Sequence, residues 1–225
     1  MIEVPVSLPH HAPRRRDGAY IWTTWLSPLL AGDATCAWAV WFKAHYTYTK
    51  LSTFDASAWQ AEHQPLLLAT RNALEADDFT VLTENQNKFV LRSGEITLAG
   101  KPDLVAVRGS RILVVDCKSG TARPAHRAQI LTYMAALPYT HPEWKECEVE
   151  GLLQYRDGAA TVGASELNTT FRSLLHSTVH LVGGPEAPPR RPSIIECRFC
   201  DISHADCPER EEDLPDTVVS GHDLF

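Results

Sequence analysis

Asp116 and Lys118 stand two apart just after the apolar run Leu113-Val114-Val115, where hydrophobic patterning would place neither charge. Side chains alternate faces along a strand, so these two project from one side and aim a carboxylate and an ammonium at one spot. Residues 100–118 read as two apolar strands joined by a tight turn, which brings Asp103, at the start of the first strand, alongside. Two carboxylates at one point suit a hard divalent cation bound through oxygen. Such a cation can activate water near neutral pH, and a neighbouring lysine can orient that water or neutralise charge on a phosphate. Phosphodiester hydrolysis is the chemistry these residue types supply. Taken alone, the same residues also describe a strand opened by an aspartate and an exposed Asp/Lys pair.

The helix after this hairpin adds to the set. Ser119-Gly120 ends the strand, and Pro124 suits the first turn of a helix running to about Leu137, ahead of Pro138. Gln129 and Tyr133, four apart, share one face of that helix. The amide can hydrogen-bond a metal-bound water, and the phenol can hydrogen-bond a phosphate or stack on a base. A plain helix-to-sheet packing contact is the structural alternative.

Gly100-Lys101-Pro102-Asp103, Asp116-Cys117-Lys118 and Gln129-Ile130-Leu131-Thr132-Tyr133 together resemble the PD-(D/E)XK nuclease superfamily in its RecB-like branch. That pattern is Gly-x-x-Asp, a strand ending in (Asp/Glu)-x-Lys, then Gln-x-x-x-Tyr on the next helix. The resemblance implies that Asp103, Asp116, Lys118, Gln129 and Tyr133 form a catalytic set using Mg²⁺ or Mn²⁺. It also implies a histidine ligand from an upstream helix, often within Gly-x-x-x-His-Glu. His63 is the best match, although Trp59 stands where the glycine is expected and Gln64 where the glutamate is; His45 is the rival. Cys117 points to the opposite face from Asp116 and Lys118, so its side chain is expected in the core while its main-chain carbonyl can reach the metal.

Six cysteines in a chain without a signal-peptide pattern suggest a reducing, cytoplasmic compartment and metal chemistry before disulfides. Cys197-Arg198-Phe199-Cys200 lets two thiolates face one metal, and Cys207 adds a third. A fourth ligand within the tail would be His204, giving a Cys₃His zinc site. The chain also resembles the CRISPR-associated iron–sulfur exonuclease family and the AddB nuclease domain, in which one cysteine precedes the core and three follow it. By that resemblance Cys36, Cys197, Cys200 and Cys207 hold a 4Fe–4S cluster that ties the ends of the domain together. Cys36 as a buried apolar cysteine is the competing reading.

The elements that must position these residues are legible only coarsely. Residues 1–19, rich in Pro, Arg and His, are expected as an irregular arm, and 20–182 as the nuclease domain. Linker and Cys-rich tail take 183–225. Ser27-Pro28 reads as a helix start, and Asp33 as the cap of a helix carrying Cys36, Trp38, Trp41 and Phe42. A helix opening at Asp55 runs through His63 toward Ala76, with a kink or break at Pro65. Strand-like runs at 79–83, 88–92 and 95–99 lead into the hairpin as a meander. Residues 148–155 and 159–162 form a further hairpin, followed by a helix over 165–182.

A net charge of −7 argues against general coating of nucleic acid and requires any DNA contact to use a local basic channel. Arg14-Arg15-Arg16, Arg123 with Arg127, and Arg190-Arg191 are its candidates. The expected fold is α/β, a restriction-endonuclease-like core with a mixed central sheet flanked by helices and the Cys-rich tail packed on the N-terminal helical segment. The expected activity is metal-dependent DNA cleavage, of single-stranded ends, in DNA processing, repair or spacer acquisition. The alternative is an accessory DNA-binding subunit within a larger complex, without membrane association.

Overall fold

A computed structural model describes residues 11–51 and 56–212. Along the chain lie β1 (Arg14–Arg15), β2 (Ala19–Trp22), α1 (Thr23–Ala31), α2 (Ala37–His45), β3 (Tyr46–Thr47), α3 (Ala56–Ala76), β4 (Thr80–Thr83), β5 (Phe89–Ser93) and β6 (Ile96–Gly100). There follow β7 (Leu104–Arg108), β8 (Arg111–Lys118), α4 (Pro124–Thr140), β9 (Glu148–Tyr155), β10 (Gly158–Val162), α5 (Thr169–Gly183) and α6 (Ile194–Arg198). No helix among the described residues is long and apolar enough to cross a membrane.

The main sheet has the order β10-β9-β8-β7-β4, and its strands alternate direction except at the parallel pair β8 and β9. The turn between β7 and β8 needs a left-handed residue, and Gly109 supplies it at φ 60 without the steric cost of a side chain. One face of β8 carries Ile112 and Val114 against Ile130, Tyr133 and Leu137 of α4. The other carries Leu113, Val115 and Cys117 against Leu74 of α3. A strand buried on both faces reads as a continuous apolar run, which is what residues 112–115 show. Likewise α4 lies between the strands and α1, and every residue from Ala128 to Leu137 is buried.

The expected α/β architecture, with its mixed sheet and flanking helices, is the observed one; several local expectations are corrected. The runs at 89–93 and 96–100 leave the meander and form a second sheet in the order β2-β6-β5, with β2 parallel to β6. Helix α1 begins at Thr23 rather than Ser27, because β2 feeds it directly and the Thr23 hydroxyl donates to the Ala99 carbonyl at 3.0 Å. Pro28 lies inside it, within a turn of its end at Gly32. Asp33 does not cap α2. Its carboxylate accepts the Ala125 N–H at 2.9 Å, at the start of α4. The N–H groups of Thr35 and Cys36 instead meet Glu196, from the tail.

Helices α3 and α4 run on through Pro65 and Pro138 rather than breaking there. His63 and Thr70 on one face of α3, and Leu137 just ahead of Pro138, are buried, and that packing holds turns where an isolated helix would yield. Asn168 caps α5 by accepting the Phe171 N–H, which starts that helix four residues later than expected. Part of the expected arm, residues 1–10, and the expected helix start at Asp55 fall outside the described residues; Arg14–Arg15 form a short strand paired with β3.

The tail packs on the N-terminal helices, as expected. Ile202 is fully buried against the core formed by α1 and α2, Lys43 pairs with Asp201 at 2.7 Å, and the Arg190 guanidinium lies 4.2 Å from the Trp38 ring. Fully burying a side chain of the size of Ile202 contributes about 1.5–3 kcal/mol.

Candidate active site

Strand β7 begins opposite Val115, and β8 continues beyond it. Leu104 pairs with Val115, so residues 116–118 of β8 extend past the start of β7, and the chain entering β7 crosses that edge at Asp103. Asp103 closes the gap with its side chain, whose Oδ2 accepts the Cys117 N–H at 2.7 Å. The Pro102 and Asp103 carbonyls are held from behind by buried Asn87, whose amide also reaches the Leu82 carbonyl at 2.9 Å. Asp103 is thereby fixed through both its main chain and its carboxylate.

Asp116 and Lys118 emerge on the α4 side of β8. Asp116 is buried, and Lys118 Nζ stands 2.5 Å from its Oδ2 in an ion pair. Lys118 also donates to Gln129 Oε1 at 3.0 Å. The Gln129 amide donates to Tyr133 Oη at 2.8 Å and lies 3.3 Å from Asp116 Oδ1. Tyr133 Oη in turn points at the Lys101 carbonyl, 3.5 Å away. Gln129 and Tyr133 thus brace the charged pair against the Gly100-Lys101-Pro102-Asp103 segment.

Gly100 has its own place in this brace. A Cβ there would fall 2.5 Å from the Phe89 ring and 2.7 Å from the Tyr133 ring. The glycine of the Gly-x-x-Asp segment is therefore the one residue that lets the Tyr133 ring close over the chain.

His63 comes in from α3. It is buried, its ring stacks on Trp59 at 4.5 Å, and its Nε2 stands 3.5 Å from Asp103 Oδ1. Trp59, in the place of the expected glycine, is thus the platform that orients the imidazole. His45 is elsewhere, buried against Trp41 and outside this cleft. Asp103, Asp116, Lys118, Gln129, Tyr133 and His63 all line one cleft of about 590 Å³.

Charge in the cleft is uneven. Burial pushes the Asp116 carboxyl up, to about 6, against the opposing pull of Lys118. A buried carboxylate beside a second carboxylate and an imidazole is the donor set a Mg²⁺ or Mn²⁺ ion takes. The residues fit the metal. Among the described residues no group of three or more His, Cys, Asp or Glu is already drawn to metal-holding distances. The Cys117 thiol faces the core, 3.7 Å from Thr70 Oγ1, and burial raises it to about 12, so it remains a thiol.

Of the arginines singled out above, Arg123 lines the cleft, whereas Arg127 is bound to Glu166 through both its Nε and Nη2. Arg190 is taken up by Trp38 and Glu209. Asn87, Trp59 and His126 were not predicted from the sequence. His126 was within reach, because it precedes Gln129 by three residues and so shares its side of α4. Burial, then Lys118 and Arg123, hold the His126 imidazole down at about 4. A depressed histidine leaves the unfolded chain binding more protons between pH ~6.5 and ~4, so stability falls as pH falls through that window. In His126→Gln the melting temperature is expected to drop less steeply from pH 6.5 to 4.

The cysteines form a second locus. Cys36, Cys197, Cys200 and Cys207 line one pocket of about 490 Å³ between α1, α2 and the tail, while His204 is exposed and not part of its lining. All six cysteines are free, and Cys147 lies apart. Thr24 and Arg123 line both this pocket and the cleft.

A mixed sheet, a helix-borne amide and phenol, and an Asp/Asp/Lys set thus come together in one cleft at the exposed end of a buried strand. A family model described as the PD-(D/E)XK nuclease superfamily matches residues 30–205, and the chain belongs to that superfamily. Members of the superfamily are typically metal-dependent nucleases. No curated protein matches the sequence. A solved structure, "Crystal structure of SSO0001", is similar over 89% of this chain and 90% of its own, at 15% identity and a TM-score of 0.46.

Proposed function

We propose that this protein is a Mg²⁺- or Mn²⁺-dependent deoxyribonuclease acting as an exonuclease on single-stranded ends. The observation that carries the reading is the convergence of Asp103, Asp116, His63 and the Lys118–Gln129 pair on one cleft. Asp103, Asp116 and His63 would hold the cation, with the Cys117 main-chain carbonyl beside them. Bound there, the metal supplies an activated water and a counter-charge for the phosphate. Lys118 adds a positive charge at the same phosphate, Gln129 sets where that charge stands, and Tyr133 sets Gln129. Trp59, 43% exposed at the cleft, offers a stacking surface for an unpaired base, and Arg123 and Lys101 offer charge for the backbone. Labelled single-stranded DNA should be shortened from an end in the presence of Mn²⁺ or Mg²⁺. A circular single strand should resist; its cleavage would show endonuclease action instead.

For the four cysteines we propose a 4Fe–4S cluster that staples the tail to α2. The pocket offers four sulfur donors from both ends of the chain, and Glu196 already bridges the same two segments. Protein purified without oxygen should be brown with broad visible absorption, and Cys207→Ala should lose that absorption. Colourless protein carrying zinc contradicts the cluster.

A further inference from the structure

His126 has no part in the reading above, yet it opens on the same cleft. It sits in the first turn of α4, beside Lys118 and Arg123 in the cleft wall. Its Nδ1 lies 3.1 Å from Tyr155 Oη. The parallel register of β8 and β9 sets Tyr155 directly alongside Lys118, so the strand that carries the charged pair has a neighbour that fixes this imidazole.

Tyr155 is 9% exposed, and His126 Nδ1 is the one hydrogen-bond partner its hydroxyl has among the described residues. A buried phenol donates its proton where an acceptor is offered. When Oη–H donates to Nδ1, the imidazole carries its own hydrogen on Nε2. Nε2 makes no hydrogen bond within the described protein and is not a buried atom. In that tautomer Nε2–H is a donor at the wall of the cleft. The charged groups facing the ring are Lys118, Arg123 and Asp33.

We propose that His126 is a substrate-contacting residue of this site, donating Nε2–H to a non-bridging oxygen of a DNA phosphate, with Tyr155 holding the required tautomer. The inference rests on the nuclease reading and deepens it. Burial and the two neighbouring cations keep the ring neutral at working pH, so it adds a directional donor where a third positive charge would be repelled. No proton is transferred and no bond is made at His126; its contribution is orientation of the phosphate. Tyr155 acts through His126 and is a positioning residue.

The test is steady-state cleavage of a 5′-labelled single-stranded oligonucleotide in Mn²⁺ by full-length wild type, His126→Ala, His126→Gln and Tyr155→Phe, with melting curves to establish folding. Loss of a donor to a charged acceptor predicts that His126→Ala lowers kcat/KM by about 10–100-fold. The Mn²⁺ concentration giving half-maximal rate should stay unchanged. Gln, whose amide nitrogen reaches the position of Nε2, should recover most of the rate. A role confined to packing would not produce that rescue. Tyr155→Phe should give a smaller loss, about 3–10-fold, because either tautomer becomes available. His126→Ala within twofold of wild type, or folded His126→Gln as slow as the alanine variant, overturns the proposal alone. Wild type that cuts nothing in Mn²⁺, or cuts equally well in EDTA, overturns the metal-dependent nuclease reading and this inference with it.

Discussion

Lys118→Met is expected to slow metal-dependent DNA cleavage by about 10²–10³-fold, the usual consequence of removing one group that stabilises transition-state charge. Methionine keeps the apolar stem of a side chain that is 20% exposed, so packing against α4 survives while the ammonium is lost. Lys118 is the cation in contact with both Asp116 and Gln129, whereas Arg127 is bound to Glu166 and Arg190 to Glu209. Stability should change little in the presence of Mg²⁺, because the metal would offset the buried carboxylate that Lys118 otherwise pairs. Without metal the variant leaves Asp116 buried beside no cation, and its melting temperature should be lower than that of wild type. A kcat assay at saturating Mn²⁺, with melting curves in Mg²⁺ and in EDTA, reads both parts.

Gly100→Ala is expected to lower stability by about 1–3 kcal/mol and activity by up to ~10²-fold. The added methyl would lie 2.5 Å from the Phe89 ring and 2.7 Å from Tyr133. Both rings are buried and meet edge-on at 5.9 Å, so neither has room to retreat. If Tyr133 moves, Gln129 loses its acceptor and Lys118 its anchor. Denaturant unfolding measures the first effect and cleavage kinetics the second. A variant as stable and as active as wild type would show that Tyr133 does not brace the site.

What could be read from the sequence were the arrangements whose parts lie close along the chain. The hairpin of β7 and β8 is written in two apolar runs around Gly109, and the face shared by Asp116 and Lys118 follows from strand alternation alone. Gln129 and Tyr133 follow from helical spacing in the same way. His63 was reached through the resemblance, and the structure places it beside Asp103 while His45 stays in the core. The parts that could not be read depend on partners far away in sequence. Asp33 looks like a local cap and instead serves α4, and Glu196 does for α2 what Asp33 was expected to do. The pairing of β2 with β6 joins Ala19 to Ile96, a match no local pattern announces. Asn87 and Tyr155 hold site residues through contacts visible only once the strands are in register.

The central claim is that Asp103 and Asp116 together hold a divalent metal that cleaves DNA. It is tested most directly by incubating labelled single-stranded DNA with wild type, Asp103→Asn and Asp116→Asn, each shown to be folded, with Mn²⁺, Mg²⁺ or EDTA. Cleavage by wild type in either metal, none in EDTA, and a loss of at least about 10²-fold in both variants is the predicted result. Undiminished cleavage by either folded variant, or cleavage by wild type that persists in EDTA, would contradict it.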